Sequence, residues 1–314
     1  MDMSHQKRDR RPTFSPLSAE VATFEAERPY LQGLAYRMLG SVADAEDVLQ
    51  EAFLRWQRTD VAAVRDARRF LTTTVARLSL DALDTAKRRR EVYVGPWIPE
   101  PLAGPAPGPL ADAQTISLAL LTVLERLSPL ERAAFLLHDV FDYGYAEVAE
   151  VLQRDEAAVR QLVHRARAHA ETARLRYAPN AAAHQRVLEA FLAAASAGDV
   201  ASLERLLAAD AVALTDGGGR VRGTARRPVR GANAVARFFV GLTRKMATRV
   251  AGVEAALANG EPVAVVRLTD GSVTLIALET DGQRVYAARI VRNPDKLRTW
   301  AFGGNAVGFP EAAS

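Results

Sequence analysis

The 314-residue sequence predicts a multidomain chain: two all-α modules, the second ending in a helix-turn-helix, then an α+β domain with a curved sheet. Three observations predict it. Up to about residue 178 apolar residues recur at helical spacing, interrupted once by a proline-rich stretch. Tyr145–Arg167 reads YAEVAEVLQRDEAAVRQLVHRAR: a short helix, a polar turn at Gln153-Arg154-Asp155, and a longer helix with a basic outer face. Past residue 180, two helices give way to strands separated by Asn259-Gly260, Asp270-Gly271 and Asp281-Gly282, strong hairpin signals. Helices followed by an antiparallel meander make an α+β domain.

Residues 1–19 form a basic tail with no apolar segment behind it, expected to be disordered rather than a secretory signal. The first module spans 20–91. Phe24–Leu39 is a helix stopped at Gly40, and Ser41 caps the next, with Asp44 three residues on. Ala45, Val48, Leu49, Ala52, Phe53 and Trp56 share one face, so Trp56 belongs to the core. After the polar loop Thr59–Asp66 a helix runs from Ala67 to about Lys87. It carries Leu71, Val75, Leu78 and Ala82 inward, and Arg69, Thr73, Arg77 and Asp84 outward. Residues 92–112 hold six prolines and read as a linker, in which Tyr93, Trp97 and Ile98 either dock onto a neighbouring domain or bind something. Docking is the commoner case.

The second module spans 113–178: helices over Ile116–Leu127 and Leu130–Asp139, with Pro129 at a first helical position, then the helix-turn-helix. Asp155 is the N-cap of its second helix, and Val159, Leu162, Val163, Ala166 and Ala170 form its apolar stripe. The third domain spans 181–310. Helices are expected at His184–Ala197, Val200–Ala208 and Gly231–Lys245. A strand at Ala211–Leu214 ends in the turn Asp216–Gly219, and further strands follow at Val250–Ala258, Pro262–Thr269, Ser272–Glu279 and Arg284–Val291.

The absence of cysteine excludes disulfides, thiolate metal sites and cysteine nucleophiles, and fits a cytoplasmic protein. No apolar run approaches the roughly 20 residues of a membrane span. Residues 1–179 carry 24 basic and 25 acidic residues, and residues 180–314 carry 17 and 12. The half with the helix-turn-helix is therefore not basic overall, but its charges are segregated. Acids gather at Asp44, Glu46, Asp47 and Glu51; bases gather at Arg68, Arg69, Arg77 and Lys87–Arg90, and again at Arg154–Arg167. That suits a protein meeting DNA with some faces and a basic partner with another. The plain alternative for Tyr145–Arg167 is an ordinary helical hairpin with a solvated basic face.

The acidic amphipathic segment DAEDVLQEAFLRW (Asp44–Trp56) together with VRQLVHRAR (Val159–Arg167) resembles the extracytoplasmic-function sigma factors over about residues 20–178. YVGPWIPEP (Tyr93–Pro101), DGGG (Asp216–Gly219) and NPDKL (Asn293–Leu297) resemble the subfamily that carries a fused SnoaL-like domain, a cone-shaped α+β fold. The resemblance implies that Asp44, Asp47, Gln50 and Glu51 meet core RNA polymerase. It implies that Arg68, Arg69, Arg77, Lys87 and Arg88 hold phosphates around the −10 element of promoter DNA, with the 59–66 loop near an extruded base. For the −35 element it points to Glu156, Arg160, Gln161 and His164 on base edges and to Arg165 and Arg167 on phosphates.

It further implies a regulatory interface between domains, made by Tyr93, Gly95, Pro96 and Trp97 with Asp216, Gly217, Gly218, Asn293, Pro294, Asp295 and Lys296. The fused domain would replace a separate anti-sigma protein. No catalytic residue, metal or cofactor is expected, and no membrane. A small ligand in the C-terminal cavity is left open. Two other readings stand beside this one. The first is a SnoaL-like small-molecule enzyme attached to a DNA-binding module, for which His184 and turn acids such as Asp216, Asp270 and Asp281 are a thin supply. The second is an activator that binds DNA alone, against which the acidic helix argues.

Overall fold

Ser41 begins a helix because its hydroxyl accepts the Asp44 N–H at 3.3 Å, and the cap fixes where the first loop ends. The computed structural model describes residues 19–60, 63–104, 117–174 and 180–301. Residues 1–18 of the expected basic tail, 61–62 of the polar loop, 105–112 of the Pro-rich segment, 113–116 and 175–178 of the second module, and 302–310 lie outside the described residues, while Ala19 opens a helix. The first module is α1 (Ala19–Leu39), α2 (Val42–Gln57) and α3 (Ala67–Glu91). Leu34, Leu49, Trp56, Leu71 and Val75 are fully buried or nearly so at its centre.

The second module is α4 (Leu118–Leu124), α5 (Pro129–Phe135), α6 (Tyr145–Leu152) and α7 (Glu156–Arg174). Pro129 does stand at the start of α5, behind a Ser128/Glu131 capping box. The helix expected over Leu130–Asp139 is regular only to Phe135. Leu136–Val140 is a π-helical turn in which Phe141 N–H reaches the Leu136 carbonyl (2.9 Å). α4 is also shorter than the expected Ile116–Leu127.

The third domain holds α8 (Ala181–Ala197), α9 (Val200–Leu206), α10 (Ala232–Met246), the short α11 (Arg298–Ala301) and six strands. These are β1 (Leu207–Asp216), β2 (Val229–Arg230), β3 (Val250–Ala258), β4 (Glu261–Leu268), β5 (Val273–Thr280) and β6 (Val285–Val291), in the order β2-β1-β6-β5-β4-β3. β3 to β6 form the expected antiparallel meander, while β1 lies parallel to β6. β1 is longer than expected, and Asp216 is its last residue rather than part of a turn.

Alternation along the strands sends Ala264, Ile276 and Ile290 inward against Leu188, Phe191 and Phe239 of α8 and α10. It sends Val263, Val265, Leu275, Ala277 and Val291 outward into one continuous core with both helical modules. The sheet is thus covered twice, inside by its own helices and outside by the described parts of the two helical modules.

Trp56 is fully buried, and its indole N–H is held by the Glu20 carbonyl at 2.8 Å. Trp56→Ala should cost about 3–5 kcal/mol by urea denaturation; a loss under about 1 kcal/mol would contradict this placement.

Candidate functional site

The helix-turn-helix is built by two local devices. Gln153 takes a left-handed conformation (φ 53°) to end α6, and the Asp155 carboxylate accepts the Ala158 N–H (2.7 Å) to start α7. Val159, Leu162, Val163 and Ala166 are buried, which leaves Glu156, Arg160, Gln161, His164, Arg165 and Arg167 exposed. Arg160, Gln161, His164 and Arg165 line an open groove of about 530 Å³. Arg160 pairs with Glu156 (3.0 Å) and lies 4.2 Å from the centre of the Tyr145 ring. Arg165 pairs with Glu131 (2.7 Å). Arg167 is gripped by both oxygens of Asp139 (2.5 and 2.8 Å), which holds its guanidinium above the ordinary pKa. Gln161 and His164 have no side-chain partner among the described residues, so α7 presents free hydrogen-bonding groups between two anchored arginines.

On α2, Asp47 and Gln50 are exposed, Glu51 is half-buried and pairs with Arg55 (3.0 Å), and Asp44 is half-buried at the N-terminal turn. Leu54, 44% exposed, sits one turn beyond Gln50, giving an acidic face with an apolar centre. On α3 the arginines are engaged. Arg68 pairs with Glu27 (2.7 Å). Arg69 bridges Glu147 (3.0 Å) and Glu150 (2.7 Å) of α6. Arg77 donates to the Val151 (2.9 Å) and Glu150 (3.0 Å) carbonyls at the C-terminal end of α6, where a cation is favoured. Lys87 and Arg88 lie in the last turns of α3, their side chains outside the described part.

The three segments 93–101, 216–219 and 293–297 converge on Asp216, which is fully buried. Its Oδ1 accepts from the Tyr93 hydroxyl (2.5 Å) and Gly218 N–H (3.1 Å); its Oδ2 accepts from Ile98 N–H (3.0 Å) and Lys296 Nζ (2.7 Å). Lys296 also donates to the Ile98 carbonyl (2.5 Å) and stands 3.1 Å from the Trp97 ring centre. Asn293 donates to the Tyr93 hydroxyl (2.9 Å). Burial first, then the Asp216 carboxylate, pushes the Tyr93 phenol well above its usual range. Gly218 has φ +61°, and a Cβ there would fall 2.5 Å from Asn293 Nδ2; at Gly217 it would fall 2.6 Å from Thr224 Oγ1. Gly95 takes φ +93° and lets the linker pass Arg226, and Pro96 is half-buried beside it. Pro294 opens the turn that presents Lys296, and Asp295 faces outward to pair with Arg220 (3.2 Å).

Two further knots were not read from the sequence. Asn259, fully buried in the β3–β4 turn, accepts Leu102 N–H (3.0 Å) and donates to the Tyr36 hydroxyl (2.8 Å), which in turn donates to the Glu100 carbonyl (2.6 Å). The Asn-Gly pair signalled only a hairpin. On the outer sheet face Arg289 is ion-paired with Glu279 and donates to Thr122 Oγ1 of α4 (3.0 Å). Glu261, close by, is pushed up to about 8 by burial, with Arg289 opposing, the Glu279 charge adding to it and a Leu118 backbone hydrogen bond opposing. No spacing rule marks these residues, because Leu102 and Tyr36 lie 157 and 223 positions from Asn259, and Thr122 lies 167 from Arg289.

Comparison with known proteins places these surfaces in a family. Residues 23–89 match sigma-70 region 2, residues 117–169 match sigma-70 region 4, and residues 188–296 match a SnoaL-like domain. The ECF RNA polymerase sigma factor SigJ of Mycobacterium tuberculosis is 43% identical over 301 residues, covering 88% of this chain and 93% of that protein. The crystal structure of that SigJ superposes with a TM-score of 0.70 at 40% identity, covering 88% of this chain and 98% of that one. The ECF RNA polymerase sigma factor SigG of the same species is 32% identical over 221 residues, 60% of this chain and 59% of that protein.

Removing one member of the buried ion pair leaves the other uncompensated. Asp216→Ala should cost about 3–5 kcal/mol in denaturant melts, and Lys296→Met less, because Tyr93 and two backbone N–H groups still serve the carboxylate; equal and negligible costs would refute the pairing. Glu261 has its folded pKa above the unfolded value. Its contribution is therefore fully present below about pH 4.5 and is lost as pH rises to about 8. Glu261→Gln should flatten that decline between pH 5 and 8 in urea midpoints; an unchanged pH profile would exclude Glu261 as its source.

Proposed function

We infer the function from one premise: the chain belongs to the extracytoplasmic-function family of RNA polymerase sigma factors. It is an initiation factor that directs transcription, with a SnoaL-like domain fused behind its two sigma regions, and it is not an enzyme. Its partners are core RNA polymerase and promoter DNA. Among the described residues no helix is long and apolar enough to cross a membrane, and the proposed site of action is the cytoplasm.

The proposed division of labour is as follows. Asp44, Asp47, Gln50 and Glu51 dock α2 on a basic surface of the polymerase, where complementary charge orients encounter. Arg68, Arg69, Arg77, Lys87 and Arg88 of α3 hold phosphates at the −10 element. Glu156, Arg160, Gln161 and His164 of α7 read the −35 element, with Arg165 and Arg167 on its backbone. The C-terminal domain regulates both through the Asp216 cluster, in place of a separate anti-sigma protein. A small ligand of that domain would sit on the inner sheet face, where Thr215, Thr274 and His184 keep polar atoms without hydrogen-bond partners; burial pushes His184 down to about 4.

The observation that supports regulation in cis is the engagement of α3 by α6. Arg69 and Arg77 cannot hold phosphate while they hold Glu147, Glu150 and the end of α6. The DNA-reading modules must therefore separate before both boxes are bound.

Arg160→Ala should weaken promoter binding by about 1–3 kcal/mol in a sequence-dependent way, measured by band shift with the reconstituted holoenzyme; unchanged promoter use would remove Arg160 from the reading face. Truncation after residue 178 should change run-off transcription from core polymerase relative to the full chain; identical output would refute regulation by the fused domain.

A further inference from the structure

Residues 217–253 contain nine basic residues and no aspartate or glutamate. Four of them lie in the loop between β1 and β2, and Arg230 follows in β2. Arg222, Arg226, Arg227 and Arg230 are exposed, and none has an ion-pair partner among the described residues. Lys245, in the last turn of α10, joins them, with its Nζ 3.1 Å from where a Cβ on Gly223 would lie. By contrast Arg165 pairs with Glu131, Arg249 with Asp270 and Arg267 with Glu254. Five uncompensated cations on one patch repel one another, an arrangement that favours a polyanion on that surface.

The patch also has a shape and a place. Val94, Gly219, Arg222, Thr224 and Arg226 line a crevice of about 160 Å³, room enough for a phosphate group. The loop packs directly on the linker: a Cβ at Gly219 would meet Val94 at 3.1 Å, and one at Gly95 would meet Arg226 Cα at 3.7 Å. Val94 follows the Lys87–Arg90 run at the end of α3 by four residues, at most about 14 Å of chain. The basic end of α3 and the arginine loop are therefore neighbours.

We propose that the Arg222–Arg230 loop of the C-terminal domain, with Lys245, is a DNA-backbone contact that extends the phosphate-holding end of α3. This rests on the sigma-factor reading and adds a third DNA surface to it, one that reads no bases. The loop raises affinity for any duplex that follows α3 past its C-terminal end, and the two sigma regions supply sequence discrimination.

The test uses the full-length chain assembled with core polymerase, a promoter fragment and a scrambled fragment, over about 50–200 mM salt. The quadruple variant R222Q/R226Q/R227Q/R230Q should reduce the slope of log affinity against log salt by about 3–4 units, at about 0.9 per lost phosphate contact. Affinity should fall by the same factor on both fragments, with core-polymerase affinity unchanged. Lys245→Gln, outside the loop, should lower the slope by about 1. All these side chains are exposed, so melting temperatures should hold. An unchanged slope in a variant that still forms holoenzyme overturns this inference alone, as does a loss confined to polymerase binding. A parent chain that binds neither core polymerase nor promoter overturns the sigma-factor reading and this inference with it.

Discussion

A fully buried carboxylate must be compensated, and Asp216 is compensated by groups from two distant parts of the chain and from its own loop. Two of its four donors, the Tyr93 hydroxyl and the Ile98 N–H, come from the linker; Lys296 comes from the last described segment, and Gly218 from its own loop. Satisfying Asp216 therefore ties residues 93–98 of the linker to the C-terminal domain, and on the proposed reading this sets where the sigma modules sit. The glycines after Asp216 follow from the same demand, since Asn293 and Thr224 occupy the space their side chains would need.

The linker then works as a strap rather than a tether. Residues 99–104 pass from α1 to the sheet through Tyr36, Asn259 and Trp300, with one β-bridge between Ala103 and Ala258. It lies along the outer sheet face, whose apolar residues share one core with the helical modules. Cutting the C-terminal domain away at its boundary and cutting away only the segment after Asn293 are different perturbations. The first removes the sheet; the second leaves Asp216 without Lys296 and Val263, Val265 and Leu275 in place. The α3 arginines make the same point energetically. On the proposed reading phosphate and the end of α6 compete for the same guanidinium groups, which would make domain packing and DNA binding linked equilibria.

Local chemistry was legible in the sequence. Ser41, Pro129 and Asp155 mark helix starts, and the three Xaa-Gly pairs place β3 to β6 within a residue or two. The stripe of α7 and the burial of Trp56 follow from helical periodicity. What the sequence concealed is non-local. The parallel pairing of β1 with β6 has no turn to announce it, and a register shift between Leu207 and Val212 blurs the alternation of β1. Asp216 beside three glycines reads as a turn former, yet it ends a strand in the interior. Asn259 carries a hairpin signal that hides a second role for its side chain. Arg69 and Arg77 look like solvent-facing bases on α3, and only the tertiary packing shows them on α6. The acid-free run 217–253 is visible in the sequence, but its arginines form one patch only once α10 is folded beside the loop.

The absence of cysteine allows two introduced labels to report the spacing of the sigma modules directly. Spin labels at exposed Gln57 on α2 and exposed His169 on α7 would be measured in the full chain and in its Asp216→Asn variant. A single narrow distance in the parent, broadened and lengthened in the variant, is the result required if the Asp216 cluster holds the modules together. The same narrow distance in both, with the variant otherwise folded, would contradict it.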